Sequence, residues 1–494
     1  MRAPLYWTLV VASGAAALFA FAPYRLFWLM PLLLAVPLAL SAREGAHPFL
    51  TGYLWGLAAY TACFNWIYHS LHTVAGLPSL PAAAATLLLP AYLALFPATA
   101  IALSRRLARG RLLLAHLVLF PALWTLAEWL RSWFLTGFPW GAVGYSQITE
   151  SPLAGYAAVG GIHAVTFLVA LSAGVLAQLP VSNMRGRFAM AALVAAVWGG
   201  GAALSGVSWT QPVGKPTRVA LAQGNIPQSL KWNPDIQQLT LERYFRMIAT
   251  ARADLLILPE TAIPLFLDDL PSGVITMIQR EAHAKKMAVA AGIPRRTDDG
   301  QGYLNAVVAF SDERLPYYAK DHLVPFGEFI PLPSLIGWIY RYMNMPLSGF
   351  SRGGSAQAPL ALAGQQVAFN VCYEDSFGEE LIGPARDATL LANVSNLAWF
   401  GDSVAMDQHL QLSQARSLET GRPMLRSTNT GMTALIEADG TVKALAAPNT
   451  TQVLNVTVTG RSGLTPYMRT GNLPVLLLCA LLLVAGSLWA RRTR

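Results

Sequence analysis

The chain carries two patterns of apolar and polar positions. Up to about residue 206, long apolar runs follow one another with only short polar breaks. A bilayer core about 30 Å thick requires roughly 20 mostly apolar residues to cross as a helix. Seven runs approach or meet that length, at 4–23, 26–42, 48–71, 81–103, 112–134, 162–180 and 188–206. An eighth lies at 473–490. From 217 onward the period shortens. "RVALAQ", "DLLILPE", "MAVAAGI", "NAVVAFS", "QVAFNVCYE" and "ATLLANVS" have strand length and many β-branched residues. Residues 234–251, 273–286 and 402–420 read as helices, and "EADGTV" at 437–442 is an Asp-Gly hairpin turn. The pattern predicts a seven-helix membrane bundle over 1–210, an α/β domain with a mostly buried sheet over 217–465, and an eighth membrane helix over 473–490.

Composition sharpens the boundary. Hydrophobic residues make up 54% of the chain and charged residues 12%, about half the usual share for a soluble domain. Residues 1–210 contain no Lys and no Asp, and their charges are ten Arg and three Glu. Lys215 and Asp235 are the first of their kinds, so the composition changes at the linker "SGVSWTQPVGKPT". The net charge of +9 does not imply a nucleic-acid partner. Much of the excess lies in short Arg-rich loops, with no basic and aromatic surface for stacking bases.

Those loops predict an orientation. With a cytoplasmic N-terminus, "SAREGAH", "SRRLARGR", "PVSNMRGR" and the C-terminal "RRTR" all fall on the cytoplasmic side. Residues 217–470 then lie outside, which in a bacterial inner membrane is the periplasmic side. In the fifth run, Glu128 and Arg131 share a helical face near the outer end. They read either as an interfacial anchor or as part of a functional cavity. The following "TGFPWGAVGYSQ" reads as a re-entrant loop or the roof of a cavity.

Three apolar runs of the outer domain end in reactive side chains: Glu260 after "DLLILP", Lys320 in "YYAKDH" and Cys372 in "VAFNVC". Separately, each has a bland reading as turn, surface or core. Together they form a set for covalent acyl transfer. A thiol needs a base, and a carboxylate serves when desolvation raises its proton affinity. A developing oxyanion needs a positive or donating group, which Lys320 and the Tyr373 N–H supply. The other cysteines, Cys63 and Cys479, lie in membrane runs, so Cys372 has no disulfide partner within its domain. Zinc spacing is absent.

These residues resemble the Glu–Lys–Cys triad of the carbon–nitrogen hydrolase (nitrilase) superfamily. The matching segments are "LPET", "YAKDHLVPFGE" and "NVCYEDSF", with Glu328 at the position of the additional glutamate often found beside that triad. Over nearly its full length the chain is similar to the bacterial apolipoprotein N-acyltransferase family, through "TGFPWGAVGYSQ", "GNIPQSLKW", "HLVPFGEFIP", "FSRGG" and "NVSNLAWFGDS". The resemblance implies an α-β-β-α sandwich for the outer domain and a two-step acyl transfer. Cys372 takes the sn-1 acyl chain of a phospholipid, expected to be phosphatidylethanolamine. It passes the chain to the α-amine of a diacylglyceryl apolipoprotein. Glu260 is then the base and Lys320 the oxyanion partner, Glu328 orients Lys320, Tyr373 and Glu374 hold the nucleophile strand, and no cofactor is required. The alternatives are a tethered amidase that releases the acyl group to water, and a transporter or scaffold with a dead enzyme-like domain.

Lipid contacts are expected from aromatic loops. Residues 332–350 are unusually apolar for a surface segment. Trp338, Ile339, Tyr340, Tyr342 and Met343 read as a mobile arm that touches the bilayer and gates acyl-chain entry, or as a helix in the domain core. Trp232 and Trp399 read as pocket aromatics or as edge packing. Asn393 and Asn396 read as headgroup donors or turn residues.

Overall fold

The computed structural model describes residues 3–227, 234–331, 334 and 349–492. Its contacts divide the chain into two compact units. One comprises Met1–Tyr68, Ser79–Ser208 and Thr465–Arg494, and the other His69–Pro78 and Trp209–Leu464.

The first unit is helical. Among the described residues, six helices are long and apolar enough to cross a membrane: Ala3–Ala20, Ser79–Ala108, Leu112–Arg131, Pro152–Val181, Met184–Ser205 and Leu473–Arg492. The pattern predicts eight, and the other two are shorter than their apolar runs. Leu29–Leu40 has 12 residues, about 18 Å of helix at 1.5 Å per residue. Pro48–Phe64 has 17, about 26 Å, because the run continues as the short helix Ile67–His69 and a π turn. Hydrophobicity thus persists where the helix does not.

Small residues set the packing of this unit. A Cβ at Gly52 would lie 2.7 Å from Ala98 Cα, and one at Gly56 2.5 Å from Pro97 Cγ. The two glycines, four apart, let Pro48–Phe64 close directly on helix Leu95–Ala108. Glu128 and Arg131 are both buried and 3.7 Å apart, so they are not an interfacial anchor. Arg131 donates to the carbonyls of Phe138 (2.6 Å) and Trp140 (2.9 Å). Glu128 accepts from Val143 N–H (2.9 Å) and the Thr166 hydroxyl (2.9 Å). The pair satisfies the backbone of the Gly-rich loop inside the unit, which an irregular segment among apolar helices requires.

The second unit is an α-β-β-α sandwich. Its strands are β1 (Gln211–Gln223), β2 (Leu255–Ile257), β3 (Ala288–Arg296), β4 (Tyr303–Ala309), β5 (Tyr317–Ala319) and β6 (Leu360–Leu362). They continue with β7 (Gln365–Val371), β8 (Leu390–Ser395), β9 (Met424–Thr428), β10 (Ala434–Ile436), β11 (Val442–Leu445) and β12 (Gln452–Ser462). One sheet runs β12-β1-β2-β3-β4-β5 and the other β11-β10-β9-β8-β7-β6. Val219, Leu221 and Ile257 of the first meet Val371, Val394 and Leu425 of the second in one buried cluster. Helices Pro234–Thr250 and Ser272–Lys285 cover the first sheet through Ile248, Ile278 and Ala282. Burial on both faces explains why the strands read as apolar runs rather than alternations. Ser427 on β9 donates to the carbonyls of Ala222 (2.9 Å) and Ile257 (3.0 Å), pinning the sheets together.

Candidate active site

The reactive side chains stand just beyond strand ends of both sheets. Glu260 follows β2, Lys320 follows β5 and Cys372 follows β7. In packed α/β sheets, strand ends are where side chains from separate elements converge. The strand carrying "VAFNVCYE" stops at Val371, and residues 372–376 form a 3-10 turn. Cys372 itself has φ +55°, a left-handed conformation that only a constrained turn imposes on a side chain other than glycine.

Lys320 is 1% exposed, and its Nζ lies 2.8 Å from Glu328 Oε2. Burial alone would lower its proton affinity; Glu328, Glu260 and Cys372 outweigh that and raise it, so the ammonium stays charged. Glu260 accepts from Asn305 Nδ2 (2.8 Å) and Asn396 N–H (2.9 Å). Asn305 also donates to Glu328 Oε1 at 3.0 Å, so one amide bridges both carboxylates. Its carbonyl takes the Lys320 N–H at 2.8 Å. Sequence reading missed Asn305, although a lone amide inside the apolar "YLNAVVAF" was the available signal.

Burial and then Glu260 push the Cys372 thiol well above its ordinary value, with Lys320 pulling the other way. These influences favour the thiol over the thiolate at Cys372. Alkylation of Cys372 by iodoacetamide in the unliganded protein is expected to rise about tenfold per pH unit through pH 9. A plateau below pH 8 in the rate profile would show a preformed thiolate instead.

Glu374 joins two of these elements. Its carboxylate accepts from Val371 N–H (2.6 Å), Asp321 N–H (2.7 Å), His322 N–H (3.0 Å) and the Tyr318 hydroxyl (2.9 Å). The turn bearing Cys372 is thereby tied to the segment bearing Lys320. Burial pushes this carboxyl up to about 7, against the pull of Lys320 and the backbone donors. The Tyr373 ring is buried and packs edge-on to Phe377 at 5.0 Å.

Asn393 is not a headgroup donor. It has no exposed surface, and its amide donates to Asn370 Oδ1 (2.6 Å) and the Cys372 carbonyl (3.1 Å). Asn396 likewise turns inward, accepting from Asn429 at 2.9 Å. Trp399 is half-buried, and its carbonyl takes the Ser70 hydroxyl at 2.7 Å, within the same unit. Trp232, Trp338, Ile339, Tyr340, Tyr342 and Met343 lie outside the described residues. Three further residues were not singled out from the sequence: Asp375, His409 and Arg426, all buried behind the nucleophile.

Residues 13–175 match the family described as "Apolipoprotein N-acyltransferase N-terminal domain", and residues 218–467 match "Carbon-nitrogen hydrolase". The chain is 63% identical over 494 residues to the apolipoprotein N-acyltransferase of Chromobacterium violaceum, covering 100% of this chain and 96% of that protein. The chain belongs to the apolipoprotein N-acyltransferase family. The family member of Neisseria meningitidis serogroup A is 47% identical over 492 residues, covering 97% of this chain and 96% of that one. Among solved structures, a CN-hydrolase superfamily protein of Xanthomonas campestris aligns with TM-score 0.38 and 20% identity, covering 53% of this chain and 97% of that one. As an apolipoprotein N-acyltransferase family member, the chain joins a helical N-terminal half to a carbon–nitrogen hydrolase domain. The strand-end cluster of Glu260, Lys320 and Cys372 lies in the latter.

Proposed function

We propose that this protein N-acylates the diacylglyceryl cysteine of apolipoproteins, drawing the sn-1 acyl chain from a phospholipid such as phosphatidylethanolamine and holding it as a thioester on Cys372. The observation that carries the reading is a buried Lys320 whose Nζ lies 2.8 Å from Glu328, with Asn305 bridging Glu328 to Glu260 and Cys372 at the end of β7. Glu260 takes the thiol proton as sulfur attacks the ester carbonyl, because the thiol does not ionise beforehand. Lys320 and the Tyr373 N–H receive the negative charge on the carbonyl oxygen. When the C–O bond breaks, the proton on Glu260 passes to the departing lysophospholipid. The α-amine of the acceptor then attacks the thioester, its proton goes to Glu260, and the C–S bond breaks. Glu260 returns that proton to the sulfur, so no cofactor enters the balance.

In this reading Glu328 orients Lys320 through their 2.8 Å contact, and Glu374 holds the Cys372 turn against the Lys320 segment. Trp399, half-buried in the catalytic unit, lies on the lipid path. The protein lies in the bacterial inner membrane with cytoplasmic termini and a periplasmic catalytic domain. The breaks after the second, fourth and sixth apolar runs, with one, four and two Arg, support that orientation.

Intact-mass measurement after incubation with phosphatidylethanolamine is expected to show one fatty-acyl increment on Cys372, discharged by the amine of a diacylated lipopeptide. Absence of the adduct on folded protein would sink the thioester. Equal discharge by water and by amine would favour the amidase alternative.

A further inference from the structure

The peptide that follows the nucleophile is held from behind by side chains with no role in the steps above. The Cys372 carbonyl accepts two hydrogen bonds, from Asn393 Nδ2 (3.1 Å) and from His409 Nε2 (3.1 Å). A trans peptide is planar, with its C=O and N–H pointing in opposite directions. Whatever fixes the Cys372 carbonyl therefore also aims the N–H of Tyr373, the backbone donor assigned to the oxyanion. At a residue held at φ +55°, that orientation has to be imposed by its surroundings.

His409 is itself held on its other side. It comes from helix Ala405–Thr420, and its Nδ1 lies 2.9 Å from the Arg426 guanidinium on β9. A guanidinium only donates, so Nδ1 accepts and the ring proton is on Nε2, which faces the Cys372 carbonyl. Asp375 completes the group: its Oδ1 is 3.0 Å from His409 Nε2 and its Oδ2 3.1 Å from Arg426. The Ser413 hydroxyl also donates to Asp375 Oδ2. All four residues are buried, so the arrangement neither exchanges with bulk water nor serves the surface.

We propose that His409, fixed by Arg426 and Asp375, is a positioning residue for acyl transfer. It locks the Cys372 carbonyl so that the Tyr373 N–H points at the oxyanion in both half-reactions. The proposal rests on the thioester reading of Cys372.

Two near-isosteric variants separate the two edges of the ring. In His409→Asn the side-chain amide takes the place of Nδ1, facing Arg426, but stops short of the Cys372 carbonyl. In His409→Gln the amide nitrogen reaches the place of Nε2 and can still donate to that carbonyl. The full-length protein in detergent is assayed three ways: single-turnover acylation of Cys372 by phosphatidylethanolamine, the dependence of that rate on phospholipid concentration, and alkylation of Cys372 by iodoacetamide. Alkylation displaces iodide at a saturated carbon and develops no oxyanion, so at one fixed pH it reports thiol access, thiol ionisation and fold but not oxyanion stabilisation.

His409→Asn is expected to slow saturated acylation about a hundredfold, the scale of losing one oxyanion donor. The half-saturating lipid concentration and the alkylation rate should stay within about twofold of the wild type, since neither depends on the oxyanion. His409→Gln should recover at least tenfold of the acylation rate. Equal slowing in the two variants, or alkylation falling in step with acylation, overturns the proposal and leaves His409 a structural residue. If the wild type forms no acyl-enzyme while its thiol alkylates normally, the thioester reading falls, and this inference with it.

Discussion

Replacing Lys320 by methionine is expected to cut acyl transfer by about a thousandfold or more. The side chain is the buried cation of the strand-end cluster, 2.8 Å from Glu328 and coupled to both Glu260 and Cys372. At so buried a position, charge stabilisation exceeds what the same contact gives in water. Methionine keeps the length of the stem but leaves two carboxylates facing each other through Asn305. Part of the loss is then structural, since breaking a buried pair by removing one partner costs about 3–5 kcal/mol. The double variant Lys320→Met, Glu328→Gln separates the effects. It should recover most of the thermal stability and none of the turnover, measured by phospholipid-dependent acylation of a lipopeptide. Recovered turnover in the double variant would show that Lys320 only neutralises Glu328.

Glu374→Ala is expected to give the largest loss of stability among single changes around the site. Three backbone N–H groups and the Tyr318 hydroxyl point at one carboxylate, and the variant leaves them without an acceptor in a buried place. Unsatisfied buried donors cost about 1–3 kcal/mol each, so at least about 3 kcal/mol follows even if water replaces some of the contacts. For a domain of this size that corresponds to a fall in Tm of about 6–12 °C. A melting temperature within about 2 °C of the wild type would show that these donors find other partners. The pH dependence has a defined sign. Burial raises this carboxyl from 4.5 to about 7 in the folded protein, so the fold binds the proton more tightly than the unfolded chain does. Its contribution is complete below about pH 4.5 and is lost as pH rises through 7. Glu374→Gln, which does not titrate, should flatten the stability profile across that interval.

The apolar pattern located the membrane helices more reliably than their ends. It carried 26–42 and 48–71 as spans, yet Leu29–Leu40 and Pro48–Phe64 are shorter, because hydrophobicity continues through segments whose backbone leaves the α-helix. The outer strands were legible as apolar runs because both faces of each sheet are covered. Helix 405–420 was legible as a helix but not in its environment. Gln408, His409, Gln411 and Ser413 are polar, suggesting a solvated face, and all four are buried. Their partners, Asp375 on the nucleophile turn among them, come from elements remote in sequence.

Residue type and local spacing alone fixed the division into a lipid-soluble half and an α/β half, and marked Glu260, Lys320 and Cys372 as strand-end side chains. These properties depend on composition and short-range period, which a single chain displays directly. Only the tertiary structure decided which groups face one another. Asn305 bridging two carboxylates, Glu374 collecting donors from two segments, and His409 meeting the Cys372 carbonyl each depend on β-sheet register and helix rotation. A register shifted by one residue would send Asn305 on β4 to the opposite face, and no local pattern specifies how the Glu374 turn and the His409 helix meet partners across long stretches of chain.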